Sequence, residues 1–174
     1  MTASAQAIPR HWTRAADLGL TFRAVVDADL PFMARLYAST RSEELASTPW
    51  SEAEKAAFVE MQFQAQHSHY RQHYSDAEWL ITMRAGEDIG RLLIQRLPGE
   101  HGLVDIVFLP AHCGKGYGGA LLRDLLEEAA AAGKSVTIHV EKFNPAMRLY
   151  RRLGFGTVED KGVYELMRWT AAPG

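Results

Sequence analysis

The stretch from Leu103 to Glu141 constrains the fold more than any other part of the chain. It begins with LVDIVFL, an apolar run stopped by Pro110, then places Gly114, Gly116, Gly118 and Gly119 within six residues. Proline cannot donate to a ladder, so it suits a strand that stops pairing there. ALLRDLLEEAAAAG follows directly. Its Leu121, Leu122, Leu125, Leu126 and Ala129 form an apolar stripe, leaving Arg123, Asp124, Glu127 and Glu128 for the water side. Gly133 closes that helix, and SVTIHVE is the next strand. The unit is strand, glycine turn, helix, strand. Glycine costs entropy on folding and packs poorly. Four of them at a helix start point to an anionic group that must approach bare backbone N–H groups.

The remaining segments arrange themselves around this unit. LTFRAVV reads as a first strand, and Asp27 or Asp29 caps a helix with Leu30, Met33, Leu36 and Tyr37 at helical spacing. Ser51 and Glu54 make a capping box for a second helix. Its apolar face is read from Phe58, Met61 and Ala65, widened on one side by Val59 and Phe63. EWLITMRAG and IGRLLIQRL predict a hairpin around Ala85 to Asp88. PAMRLYRRLGF predicts a short helix closed by Gly154, and GTVED with GVYELMRW a last strand pair around Lys161 and Gly162. The predicted order is β-α-α-β-β-β-α-β-α-β-β, an α/β fold with a mixed sheet. A chain of 174 residues suits one domain. We place it at residues 21–174, preceded by a loosely ordered extension over residues 1–20.

Composition narrows the function classes. A net charge of −2 gives no basic surface for nucleic acid. Cys113 is the single cysteine, which excludes an internal disulfide and fits a reducing, cytoplasmic setting. No secretory leader pattern and no apolar run near ~20 residues is present, so no membrane association is expected. His69 and His73 are four apart on the second helix but lack a third ligand, so they read as helix surface and no metal is expected. Glu43, Glu44, Glu52 and Glu54 surround Trp50. This is either a polar loop with acids at a helix start or an acidic lip for a cationic ligand.

Three readings of the glycines compete. They satisfy G-x-G-x-x-G, and Glu141 ends the next strand about 20 residues on, as a dinucleotide site asks. Against that, residues 110–113 separate strand and first glycine, and only one short helix follows Glu141. The phosphate-loop pattern ending in Gly-Lys-Ser/Thr is absent. The plainest reading is a turn that lets strand and helix pack closely.

A further pattern carries a family resemblance. Phe108, Leu109 and Pro110, then Cys113 to Gly118, then the apolar helix, run parallel to V-x-P, Q/R-x-x-G-x-G/A and helix. Val140, Asn144, Ala146, Leu149, Tyr150, Gly154 and Phe155 run parallel to a strand ending in V-x-x-x-N followed by L-Y-x-x-x-G-F. In these two linked motifs Val104–Phe155 resembles the GNAT superfamily, the acetyl-CoA-dependent N-acetyltransferases. The resemblance implies the GNAT-type fold, a central mixed, mostly antiparallel sheet flanked by helices. It implies acetyl-CoA as co-substrate, with its diphosphate on Cys113, Gly114, Lys115, Gly116, Tyr117, Gly118 and Gly119. The pantetheine arm would pair with the backbone of Ile106, Val107 and Phe108 in a slot where the sheet splays, and one of those N–H groups would polarise the thioester. Asn144 would bond the pantetheine amides, besides capping its helix. Tyr150 would protonate the leaving thiolate. Asp105, with His139 and Glu141 as rivals, is the candidate base. Cys113 departs from the family's Gln or Arg, and Asn144 to Tyr150 is one residue tighter than in another common version. The implied activity is acetyl transfer to a primary amine, in a small molecule or at a protein N-terminus or lysine. Acceptor and acetyl-CoA bind together, and the protein is a monomer or homodimer. A non-catalytic coenzyme A-binding module and a dinucleotide-binding oxidoreductase are the alternatives.

Overall fold

The computed structural model describes residues 12–173. Strands β1 (Leu20–Ala24), β2 (Glu78–Arg84), β3 (Glu87–Arg96), β4 (Glu100–Phe108), β5 (Ser135–Glu141), β6 (Gly156–Lys161) and β7 (Tyr164–Trp169) form one sheet, in the order β1-β2-β3-β4-β5-β7-β6. Helices are α1 (Thr13–Asp17), α2 (Leu30–Ala46), α3 (Glu52–His73), α4 (Tyr117–Ala131) and α5 (Met147–Leu153). From β1 onward the order is the one the sequence predicts. Every neighbouring pair is antiparallel except β4 with β5. A dinucleotide fold needs a mostly parallel sheet, so this topology removes that alternative.

Local chemistry explains most element ends. Ala85 and Gly86 both have positive φ, 51° and 80°, the two-residue turn that matches the twist of a β2–β3 hairpin. Ser51 Oγ accepts from Glu54 N at 3.2 Å while Glu54 Oε2 accepts from Ser51 N at 2.7 Å, the expected capping box. Asp29 is buried; its carboxylate accepts from Val26 N–H and from the Arg23 guanidinium, and α2 starts one residue later.

The sheet divides two cores. On one face α1, α4 and α5 cover Leu92, Ile94, Leu103, Val136, Ile138 and Val140; on the other α2 and α3 cover Ile81 with Met33, Tyr37 and Phe63. The decisive feature lies in the middle. Leu93 pairs with Asp105 and Ile94 with Leu103, so Val104 is one extra residue on β4. A bulge of this kind bends and twists its strand. β4 and β5 pair only from Glu100/Ser135 to Leu103/Ile138. Beyond that point β4 continues on β3 to Phe108, and β5 continues on β7 to Glu141. The two strands diverge, and the sheet is split at its centre.

Three expectations need correction. Residues 1–11 lie outside the described residues, but residues 12–19 are not loose. Trp12 and Ala15 are buried against α4, and the N–H groups of Arg14 and Ala15 bond the Asp124 carboxylate at 3.3 and 2.9 Å. A carboxylate at the start of α1 satisfies donors that have no helical partner. Asp124 and Glu128 therefore do not face water. Asp124 is fully buried, and Glu128 accepts from Trp12 Nε1 and from Arg96. On α3 the buried residues are Val59 and Phe63, whereas Met61 is 62% exposed. Of the stripe read as the main face, Phe58 does pack against the core but Met61 and Ala65 turn to solvent; the covered side continues from Val59 and Phe63 through Gln66, His67 and Tyr70.

Buried histidines give the fold a pH dependence. Burial holds His67 and His101 below the usual 6.5, with nearby arginines adding to the effect. His101 Nε2 lies 2.9 Å from Glu128 Oε2, whose charge offsets part of the effect, but burial prevails. The unfolded chain therefore takes up protons before the folded one. Stability is full above about pH 6.5 and is lost as pH falls below it. Melting temperature should drop between about pH 7.5 and 5, and the slope should flatten in His101→Gln. A flat profile for the parent chain would contradict this.

Candidate functional site

The split leaves part of β4 without a strand neighbour. Among the described residues, only the β3 side is paired from Asp105 to Phe108. Successive residues of a strand point their N–H and C=O groups to opposite edges, so every second residue of this stretch directs both at the gap. The side chains of Ile106 and Phe108 lie against the α4 core, while Asp105 and Val107 occupy the opposite face. Gly90 permits the strand to run this way. A Cβ there would sit 2.5 Å from Val107 O and 2.9 Å from a Phe108 ring carbon. The sequence reading missed Gly90. A lone glycine inside a strand, which marks close backbone approach, was its signal.

At the end of β4 the glycines form an open cradle. Gly114 and Gly116 have φ of 72° and 83°, which L side chains rarely adopt, and a Cβ at either would meet nothing within 4 Å. Glycine is needed there for backbone shape and not for room. Gly116 is the N-cap of α4 without any side-chain bond. Ala120 N–H is the first to close a helical turn, onto Gly116 O at 3.0 Å. The N–H groups of Tyr117, Gly118 and Gly119 thus start the helix without a helical acceptor, where the dipole favours an anion. Their side chains and those of their neighbours divide the work. The Tyr117 ring is buried on Phe108 and His112. Lys115 is exposed. The Cys113 thiol turns back onto Phe108 O and Leu109 O at 3.6 and 3.5 Å. Arg123 is exposed as the sequence predicts, and its guanidinium would lie 2.9 Å from a Cβ on Gly119. It brings a cation to the cradle.

Asn144 and Tyr150 flank the split from the β5 side. Asn144 is exposed, and its Oδ1 accepts from Ala146 N at 2.8 Å, which closes a turn ahead of α5; the N-cap is Ala146 and not Asn144 as expected, and the Asn144 amide nitrogen has no partner among the described residues. Tyr150 is 2% exposed and packs edge-on to Phe155 at 5.7 Å. Its hydroxyl bonds nothing among the described residues. Burial, and then the negative charge of Asp105, push the phenol well above its ordinary value of 10. It is therefore neutral at physiological pH.

Asp105 does not stand alone. Its Oδ2 takes Arg91 Nε at 3.1 Å and also Arg91 Nη2, and the same Nη2 donates to Gln66 Oε1 at 3.2 Å. Arg91 is 3% exposed, with the Tyr70 ring 5.8 Å from its guanidinium carbon. Burial, then the charge of Asp105, raises the Tyr70 phenol too. Glu141 meets Arg41 at 3.3 Å and Tyr164 Oη at 3.3 Å, and Arg41 Nε donates to Tyr37 Oη at 3.2 Å. Polar groups from α2, α3, β3, β4, β5 and β7 thus converge on the α2/α3 side of the split. Sequence reasoning found Asp105 and Glu141 but not Arg91 or Arg41. A charge at position 91, in register with the fully buried Leu93, was the available signal.

Other candidates lie elsewhere. His139 Nε2 sits 3.2 Å from Lys161 Nζ at the β6–β7 hairpin. The rings of His69 and His73 lie 4.4 Å apart and tilted on the outer surface of α3, and no cluster of three metal ligands occurs among the described residues. Trp50 packs edge-on to Phe58 at 5.0 Å, so its ring anchors the α2–α3 loop. A concavity of about 580 Å³ between α2 and the β2–β3 turn includes Asp29, Arg35, Asp88 and His112 but none of the groups around the split. Its two aspartates are already matched by Arg23. No helix among the described residues is long and apolar enough to cross a membrane.

Comparison with known proteins follows the same outline. Residues 37–155, more than half of the chain, match the family model described as the acetyltransferase (GNAT) family. No curated protein matches the sequence. Among solved structures, the chain is similar to a PaiA N-acetyltransferase from Thermoplasma acidophilum in complex with coenzyme A, with 16% identity, a TM-score of 0.64, and coverage of 87% of this chain and 99% of that one. An acetyltransferase from Thermus thermophilus gives 18%, 0.62, 88% and 98%. A GNAT family acetyltransferase from Elizabethkingia anophelis with acetyl-CoA bound gives 15%, 0.57, 88% and 99%. At such identities the likeness is one of fold.

Proposed function

Because the chain belongs to the acetyltransferase (GNAT) family, we propose that it moves the acetyl group of acetyl-CoA to a primary amine by direct attack, with both substrates bound at once. One observation carries this reading. A neutral, buried phenol on α5 and a carboxylate on β4 border the central split of the sheet, and a bare N–H cradle lies at the end of β4. The coenzyme A and acetyl-CoA in the T. acidophilum and E. anophelis structures support the choice of donor.

The residues present suit that donor. The open cradle from Cys113 to Gly119 accepts a diphosphate on main-chain N–H groups, with Lys115 and Arg123 as nearby cations. The free edge at Ile106, Val107 and Phe108 accepts an extended amide-bearing arm as a strand would be accepted, and the Asn144 amide reaches the same arm. One N–H of that edge steadies the oxyanion as the amine adds to the thioester carbonyl. Asp105, oriented through Oδ2 by Arg91, takes the proton released by the amine. Tyr150 gives its proton to the departing thiolate and is reprotonated from solvent.

The test is thiol release from acetyl-CoA with a panel of amines, beside calorimetry with coenzyme A. Binding with acceptor-dependent thiol release is the expected result. Binding with no release for any amine would make the protein a coenzyme A-binding module.

A further inference from the structure

The acceptor side of the split holds charges of both signs, and neither sign is fully used. Arg91 is 3% exposed. Its Nε/Nη2 edge is occupied by Asp105, and Nη2 is shared with Gln66. Nη1 is buried and has no acceptor among the described residues. Asp105 Oδ2 takes all of the contacts from Arg91, Oδ1 has no partner among the described residues, and Asp105 retains 21% side-chain exposure. A buried guanidinium N–H without an acceptor is costly, and native structures seldom leave one unmatched. The second edge of a planar guanidinium fits a carboxylate, which an ammonium-only ligand could not supply.

Resting on the acetyl-transfer reading above, we propose that the acceptor is a free α-amino acid, its carboxylate held by the Nη1/Nη2 edge of Arg91 and its amine by Asp105 Oδ1. The two charges of such a ligand lie on neighbouring atoms, as the two unmatched protein groups lie on one ion pair. A diamine would bring a second cation against Arg91. A neutral amide would offer the guanidinium a weaker acceptor. Gln66 Oε1 occupies Nη2 in the free protein and stands in for part of the carboxylate, so it yields when the ligand arrives.

Matched acceptor series test this with the parent chain and acetyl-CoA. Each series holds an α-amino acid, its primary amide and its decarboxylated amine, for alanine, leucine, phenylalanine, glutamate and lysine. A diamine and a peptide with a free N-terminus complete the set. At least one amino acid should exceed both its amide and its amine by tenfold or more in kcat/KM, through KM. In Gln66→Glu, which places a competing carboxylate on Arg91, that ratio should fall toward one. Equal or faster turnover of the amine, the amide, the diamine or the peptide overturns the inference while leaving acetyl transfer intact. An unchanged ratio in Gln66→Glu also overturns it. Absence of turnover with every acceptor, with coenzyme A still bound, overturns both readings.

Discussion

Tyr150→Phe is expected to lower kcat by about 10²- to 10⁴-fold, the range set by loss of a positioned general acid, and to leave coenzyme A affinity nearly unchanged. The hydroxyl makes no hydrogen bond among the described residues, and the ring is held by its edge contact with Phe155, so the substitution removes one oxygen without disturbing packing. Folding stability should stay within about 0.5 kcal/mol, as for changes that break no named interaction. A chemical control separates acid catalysis from misplacement. An acetyl thioester whose thiol leaves readily as the anion needs no proton from the enzyme, so the variant's deficit should shrink with it. Equal deficits for both thioesters, or turnover equal to the parent's, would remove Tyr150 from proton transfer.

Gly116→Val is expected to weaken acetyl-CoA binding by more than tenfold, read as KM for acetyl-CoA or by calorimetry. Gly116 holds φ at 83° as the N-cap of α4. A left-handed conformation costs an L residue roughly 1–2 kcal/mol, and a β-branched one more. Nothing lies within 4 Å of the added Cβ, so the penalty comes from the backbone and not from a clash. Relief requires the loop to change shape, and with it the directions of the N–H groups from Gly114 to Gly119. At saturating acetyl-CoA, kcat should fall far less than affinity, because Tyr150 and Asp105 lie on other elements. A Gly116→Val protein with parental KM would show that the cradle does not carry the diphosphate.

How much of this was legible depends on whether a feature is local. The glycine turn, the Ser51–Glu54 box, the Ala85–Gly86 hairpin and the closing Gly154 each follow from a few adjacent residues, and each stands where expected. The split of the sheet was anticipated near Pro110 from the family resemblance. It begins earlier, where the extra residue Val104 bulges β4 and pairing with β5 ends at Leu103. Features made by distant partners escaped. The first helix is fixed by Asp124, 110 residues away, and nothing near Arg14 announces it. The face of α3 was misread because Phe58, Met61 and Ala65 are as apolar as Val59 and Phe63, and only the sheet decides which stripe is covered. Arg91 shows the same limit from the other side. Its neighbours in β3 predict a buried strand, but the partners that make a guanidinium tolerable there come from β4 and α3.

The account stands or falls on where coenzyme A sits. A crystal structure of the chain with coenzyme A measures this directly. Diphosphate oxygens should lie about 3 Å from N–H groups between Gly114 and Gly119. The arm should run along the free edge of Ile106 to Phe108, and the sulfur should lie beside the Tyr150 hydroxyl. A diphosphate bound away from the glycines, or a sulfur remote from Tyr150 with the split closed by side chains, would contradict it.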